Sequence, residues 1–319
     1  MQRRTLLLLG AAAGLGIRRE AFAAGPDTVR VAKPGAKGFI FTFAEIGMAK
    51  GFYPANGIAV ESVGVGGGGP GHQALAAGSL EFVFGAGSEM QLAAKGAPEQ
   101  AVASIMQAPA QIALGVLTSS PIRTPKDLQG KTVGVTSTTS LTAWCTRETS
   151  RREGWGPDGI KLAPLGAVEA GVAALTAGTI DALTGQTDQL LALEAAGRVR
   201  VLTVFSDIVP DFPAFVIFAA KPLMDGKPEI VRRFLKGTLE TLAFMKANKA
   251  ETLKLAQPIM LLPDPVADKV YDLQMPVFTD GRFSQSSMAV LRRSMIELGL
   301  LATVPPDDVL YTERFLPQT

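Results

Sequence analysis

Cysteine and histidine are almost absent from this chain of 319 residues, which contains only Cys145 and His72. A single cysteine excludes an internal disulfide, and a single histidine without nearby metal-ligand spacing argues against a metal centre. A hydrolase triad would have to use His72, yet the sequence around Ser88 does not fit a nucleophile elbow. We therefore expect a protein that is not an enzyme and that uses no cofactor.

Long hydrophobic runs are also missing beyond the N-terminus, where no stretch approaches about eighteen uninterrupted apolar residues. The N-terminus itself carries Arg3 and Arg4, a short apolar run over 5–17 and an A-x-A cleavage sequence at 21–23. This arrangement predicts a cleavable signal peptide over residues 1–23. The paired arginines leave both the Sec route and the twin-arginine route open. We expect a periplasmic protein that does not insert into the membrane.

The excess of basic residues belongs to this export segment. Removing its four arginines and one glutamate from the 31 basic and 29 acidic residues leaves 27 basic and 28 acidic residues. A mature net charge near −1 gives no reason to expect a nucleic acid or an anionic membrane as partner.

One eight-residue motif, which we call the repeated phrase, occurs twice in the chain. ALAAGSLE at 74–81 returns as ALTAGTID at 174–181, a hundred positions later. Each copy predicts the end of a helix, a left-handed glycine and the entry into a strand with an apolar and an acidic residue. A repeated joint at this distance predicts two similar α/β lobes.

Strands, glycine-rich loops and helices alternate around both copies, which is typical of parallel sheets covered by helices. Strands are expected over 28–32, 58–65, 80–85, 112–118, 180–183 and 199–204. The last third of the chain is predicted to be mostly helical, with an apolar stripe over 229–246.

Two stretches could bind a ligand. The run GVGGGG at 64–69 matches a dinucleotide fingerprint, but any spacing matches within a run of glycines. Its free N–H groups at a helix start could instead cradle an anionic or polar group. The hydroxyl run at 136–140 is either a solvent-exposed helix cap or a hydrogen-bonding cup for an acid group.

Single residues near these loops allow two interpretations each. His72 is expected at an exposed helix start, with ligand contact as the alternative, and Cys145 is expected to be a small buried hydrophobe. Trp144, Phe39 and Phe212 are core candidates, but the two phenylalanines could also wall a pocket.

The opening EIGMAKGFY at 45–53 with NGIAVE at 56–61, the two repeated phrases and TPKDLQGKTVGV at 124–135 together resemble a known family. This is the family of periplasmic substrate-binding proteins of ABC importers for nitrate, sulfonates, taurine and thiamine-pyrimidine precursors, the SsuA/TauA/ThiY-like proteins. The resemblance covers nearly the whole mature chain and is specific for the family, not for the ligand.

The resemblance implies a type II periplasmic-binding-protein fold with two doubly wound lobes and the ligand cleft between them. It implies crossover strands at 112–118 and 201–218, lobe one over 27–118 plus 211–319, and lobe two over 119–210. The ligand-binding residues it implies are Gly38, Phe39, Gly67, Gly68, Gly87, Ser88, Ser137, Thr138, Thr139, Ser140, Gln186 and Phe212.

The function implied is capture of a small, anionic organic solute by a monomer that delivers it to an ABC permease and its ATPase. These loops contain no arginine, which favours an organic acid or heterocycle over nitrate. Two alternatives remain open, a hydroxymethylpyrimidine-synthase-like enzyme and a solute-sensing partner of a membrane receptor. The enzyme's cysteine-rich iron motif is absent, because Cys145 stands alone.

Overall fold

The computed structural model describes residues 25–35, 37–65 and 68–318. The predicted signal peptide and Gly67 therefore lie outside the described residues. Eleven strands are found in this part of the chain: β1 Asp27–Lys33, β2 Ile58–Gly64, β3 Phe82–Gly85, β4 Glu99–Met106, β5 Ile112–Leu117, β6 Thr132–Val135, β7 Lys161–Pro164, β8 Ala182–Gln186, β9 Val199–Val204, β10 Phe215–Ala220 and β11 Phe278–Gly281.

The helices of the described residues are α1 Phe43–Ala49, α2 Phe52–Ala55, α3 Gly68–Ala76, α4 Gln91–Ala94, α5 Leu141–Arg152, α6 Val168–Thr176, α7 Thr187–Ala195, α8 Phe205–Ile208, α9 Lys221–Gly226, α10 Pro228–Ala247, α11 Lys249–Met260, α12 Asp264–Gln274, α13 Gln285–Glu297 and α14 Asp307–Leu310. Short 3₁₀ turns lie at Phe39–Phe41, Gly87–Met90, Pro125–Leu128 and Met275–Val277. Within the described part of the chain, no helix combines the length and apolar character that a membrane crossing requires.

The strands form two sheets with the same plan. The first sheet has the order β11-β4-β10-β3-β1-β2, and the second has the order β7-β6-β8-β5-β9. In each sheet three strands run parallel, and one antiparallel strand pairs with the third of them. The predicted two-lobed α/β architecture is confirmed.

The antiparallel strand of each sheet follows a crossing from the other lobe. β5 pairs with β8 and β9 in the second sheet, and β10 pairs with β3 and β4 in the first. The prediction that 112–118 belongs to lobe one was wrong, because both neighbours of β5 lie in the second sheet. The chain crosses in linkers instead, at 107–111 and 205–214, and 201–218 contains two strands and a linker rather than one strand.

The repeated phrase forms the same joint in both lobes. Gly78 and Gly178 have φ of 72° and 70°, the left-handed region that glycine adopts without steric cost. In the first copy Ser79 N donates to Ala74 O at 2.9 Å, and in the second Thr179 N donates to Ala174 O at 3.0 Å. Both helices therefore end in a Schellman motif that turns the chain into the third parallel strand.

The acidic residue of each phrase connects that strand to its neighbour. Glu81 Oε2 accepts Arg30 N at 2.7 Å, while Asp181 Oδ2 accepts Thr132 N at 2.8 Å. Each carboxylate satisfies a backbone donor of the central strand, one residue before that strand begins to pair with the third parallel strand.

The C-terminal helices complete the first lobe. The predicted stripe forms α10, and its residues Phe234, Leu235 and Met245 are fully buried. Tyr53 stacks on Phe234 at 5.6 Å, so α10 is packed against the short helix α2. This arrangement places α12 and α13 beside the second lobe.

Candidate functional site

The seam between the lobes is organised around three consecutive residues of the second linker. Phe212 stacks on Trp144 of α5 with ring centroids 3.8 Å apart. Pro213 O accepts Gly87 N at 2.8 Å, and Ala214 O accepts Gln111 Nε2 at 2.9 Å. The segment 212–214, which we call the linker strip, thus contacts both lobes and the first linker.

Beside each contact of the linker strip lies a buried polar side-chain atom that has no hydrogen-bond partner among the described residues. These atoms are Trp144 Nε1, Gln111 Oε1 and, beside Gly87, Ser88 Oγ. All three side chains are buried. Buried polar groups in folded proteins are normally hydrogen-bonded, so unpaired donors and acceptors at one seam indicate the place of a ligand or water.

Phe39 and Gly38 join the lobes at a second point. Phe39 N donates to Asp188 Oδ2 at 3.2 Å, and Asp188 lies in the first turn of α7 in the other lobe. Burial raises the pKa of Asp188, and the N–H groups of Gln189 and Phe39 offset part of that effect. The Phe39 ring is buried against Tyr271 of α12. Sequence analysis missed Asp188, because a helix-start aspartate normally caps only its own helix.

The hydroxyl run is not enclosed by the seam. Ser137, Thr138 and Thr139 are exposed. Ser140 is the N-cap of α5, where its Oγ accepts Ala143 N at 3.3 Å and donates to Ser137 O at 2.8 Å. The capping role is present, and the three other hydroxyl residues lie on the surface.

The start of α3 is occupied by a side chain of the protein itself. The helix begins at Gly68, and a Cβ added there would overlap the carboxylate of Glu89. A Cβ at Gly85 would overlap the same carboxylate. Glu89 Oε2 also accepts Ala86 N at 2.7 Å. This role of Glu89 was not predicted from the sequence.

His72 lies beneath this carboxylate, and the prediction of an exposed helix start was wrong. Its side chain is only 4% exposed, and Glu99, which is 0% exposed, lies 2.9 Å from Nδ1 through Oε2. Burial alone would lower the pKa of His72, but the carboxylates of Glu89 and Glu99 outweigh it and raise the pKa to about 9. His72 is therefore an imidazolium at neutral pH.

The remaining predicted residues take structural positions. Gln186 is half-buried at the end of β8, where it pairs with Ile112 of β5. Cys145 is fully buried on α5, as predicted, and burial raises the pKa of its thiol well above the usual range. Among the described residues no group of three or more histidine, cysteine or acidic side chains could hold a metal ion.

Several solved structures have this fold. A protein of Bordetella bronchiseptica RB50 is 24% identical, with a TM-score of 0.73 over 91% of this chain and 95% of its own. The alkanesulfonate-binding protein SsuA from Xanthomonas axonopodis pv. citri, bound to MOPS, is 17% identical, with a TM-score of 0.74 over 93% and 96%. The desulfurization enzyme DSZB is also similar, at 17% identity and a TM-score of 0.64 over 91% and 97%.

Two lobes, two linkers and a polar seam between them define the class of periplasmic-binding-protein folds. Within this class, the match of the amino-acid sequence to a family profile identifies the family. The profile of the family described as NMT1/THI5 like matches residues 40–252, about two-thirds of the chain, and this chain belongs to that family. No curated protein matches it.

Proposed function

We propose that this protein is the periplasmic solute-binding component of an ABC import system, which captures a small organic solute in the seam and presents it to a permease and its ATPase. Sulfonates, carboxylates and polar heterocycles are the solute classes expected. The observation that carries the proposal is the set of unpaired buried polar atoms, Ser88 Oγ, Gln111 Oε1 and Trp144 Nε1, along the linker strip.

Closure around the solute follows from the two linkers. Segments 107–111 and 205–214 are the points at which the main chain passes between the sheets, so rotation about them opens the seam. Cross-lobe contacts of modest strength favour the closed form, among them Lys269 Nζ to Glu194 at 3.4 Å and Arg151 to Glu297 at 3.2 Å. A solute that bridges the walls would add to these contacts.

The likeness to SsuA and to DSZB shows the fold alone and does not separate a binding protein from an enzyme, so the side chains of this chain must decide between the two functions. A cysteine nucleophile requires an accessible thiolate, whereas Cys145 is fully buried and its pKa is raised. The buried imidazolium of His72 is held by two carboxylates and cannot accept a proton at neutral pH. Both observations favour binding without turnover.

A thermal-shift panel of sulfonates, carboxylates, pyrimidines and nitrate tests the proposal on the mature protein. A solute at about a thousand times its dissociation constant should stabilise the fold by about 4 kcal/mol. Trp144→Phe retains the stacking ring but removes the unpaired N–H, and it should weaken the solute about tenfold.

The chain offers a matched control, because its only other tryptophan is Trp155. Trp155→Phe should leave the affinity unchanged. If no compound of the panel raises the melting temperature of refolded, ligand-free protein, the receptor proposal is contradicted. Turnover of a panel compound, detected by mass spectrometry, would favour the enzyme instead.

A further inference from the structure

The carboxylate of Glu89 fills the position in which a helix start would receive an acid group. Oε2 is fixed by Ala86 N, and both oxygens lie where side chains at Gly68 or Gly85 would be. Two glycines on separate elements thus create the space for one carboxylate. The positive end of the α3 dipole is therefore already faced by a negative charge.

His72 holds this carboxylate from below. Its Nε2 lies 3.4 Å from Glu89 Oε2, an ion-pair distance, and makes no hydrogen bond within the described residues. Glu99 fixes the other ring nitrogen, and the edge of His72 packs on Phe218 with centroids 4.8 Å apart. A buried N–H aimed at Glu89 holds the carboxylate in place.

Glu89 lies in the 3₁₀ turn Gly87–Met90, whose first residue donates its N–H to Pro213 O of the linker strip. It directly follows Ser88, whose hydroxyl is one of the unpaired atoms there. Its side chain is 17% exposed, so a part of the carboxylate reaches solvent while its other contacts are internal. A solute bound against Ser88 would therefore lie close to this carboxylate on the wall of lobe one.

We propose that Glu89, held by His72, is a specificity-determining residue that excludes acid groups from the lobe-one wall and selects solutes presenting a cation or a hydrogen-bond donor there. The proposal rests on the proposed function and narrows it. Amines, amidines and amino-substituted heterocycles match this wall, since a partly buried carboxylate attracts a cation or hydrogen-bond donor and repels a second anion at short range.

The test uses His72 as a reporter, because it is the only histidine of the chain and gives one set of imidazole resonances in NMR spectra. Methanesulfonate is titrated into the mature wild-type protein and into Glu89→Ala. The wild-type His72 resonances should not move. In Glu89→Ala the vacated space lies between an imidazolium and a helix start, so methanesulfonate should bind at least tenfold more tightly and shift these resonances.

A second arm compares benzamidine with benzoate, which have the same shape and opposite charge, by their effect on the melting temperature. The wild-type protein should favour benzamidine, and Glu89→Ala should lose or reverse that preference. Glu169→Ala is the matched control, since Glu169 is exposed in the first turn of α6, the corresponding helix of lobe two. It should behave as the wild type in both arms.

Saturable binding of methanesulfonate to the wild type with a shift of His72, or equal binding to wild type and Glu89→Ala, would overturn the proposal. Glu89→Ser replaces Glu89→Ala if near-ultraviolet circular dichroism shows that the alanine variant does not fold. These outcomes are separate from failure of the receptor proposal, because the methanesulfonate arm reports on the Glu89 position even if no solute of the broad panel binds.

Discussion

The two lobes have the same frame and different walls. When the residue numbers are shifted by one hundred, α3 Gly68–Ala76 aligns with α6 Val168–Thr176. Both helices lead through a left-handed glycine into the third parallel strand. The close helix-to-sheet approach is shared as well, since a Cβ at Gly71 would touch Val83 and one at Gly171 would overlap Leu183. The frame is therefore repeated in backbone detail.

The same shift shows where the lobes differ. His72, which holds Glu89, corresponds to Val172, a buried core residue. Gly87 N donates to Pro213 O in one linker, and Thr187 N donates to Gln111 O in the other. The linkers are therefore attached in the same way, while a buried cluster of His72 with two carboxylates lies beside α3, where α6 has an apolar core residue.

The largest expected difference between the lobes is a dependence of stability on alkaline pH that arises in lobe one. The pKa of His72 is raised to about 9, against about 6.5 in an unfolded chain. Its contribution is fully present below about pH 6.5 and is lost as the pH rises through about 9. The loss should approach about 3 kcal/mol in the free energy of unfolding.

Urea denaturation from about pH 6 to about pH 10 measures this loss. His72→Gln keeps a hydrogen-bond donor for Glu99 but cannot titrate, so the difference between wild type and variant isolates the imidazole from other groups. Parallel pH profiles for the two proteins would show that the Glu89–His72–Glu99 cluster does not titrate as described.

A smaller effect is expected from exchanging the linker contacts. Gly87→Thr gives lobe one the residue of lobe two, but the new Cβ would lie 2.5 Å from Pro213 Cγ and 2.6 Å from Pro213 O. Overpacking of this kind should destabilise the fold by about 2 kcal/mol. Gly69→Ala is the control, because nothing lies within 4 Å of its added Cβ.

The reverse change tests the other lobe. Thr187 Oγ1 donates to Ala110 O at 2.8 Å, so Thr187→Gly removes a buried hydrogen bond and should cost about 1 kcal/mol. Thermal and urea unfolding measure both variants. A tolerated Gly87→Thr would mean that the second linker moves freely from Gly87, in conflict with the Gly87–Pro213 hydrogen bond.

The sequence predicted those features that depend on local chemistry. Gly78 and Gly178 are recognisable because a helix end needs a left-handed residue, and the phrase around them repeats. The position of β5 could not be found in this way, since an antiparallel strand is assigned to a sheet by distant partners, β8 and β9. Its own apolar residues fit either sheet.

The residues of the candidate site fall into the same two groups, those predictable from local sequence and those placed by distant partners. Ser140 as a helix cap follows from its neighbours along the chain. The burial of His72 on α3 depends on Glu99 of β4 and Phe218 of β10. The sequence near His72 gives no sign of these contacts. Asp188 likewise meets Phe39 from a position 149 residues away. Sites built across a seam are the least local part of a fold.

The smallest expected effects come from the two acidic residues of the repeated phrase, and they test whether the lobes are energetically separate. Glu81→Ala and Asp181→Ala each free one backbone N–H, that of Arg30 and that of Thr132, and each should cost about 1 kcal/mol. The double variant should lose the sum within about 0.5 kcal/mol, because the sites lie in different sheets and share no partner. Urea denaturation measures the three variants beside Glu169→Ala. A double variant that departs from the sum by more than about 1 kcal/mol would show that the two joints are coupled through the linkers, and the lobes would then not be independent copies of one frame.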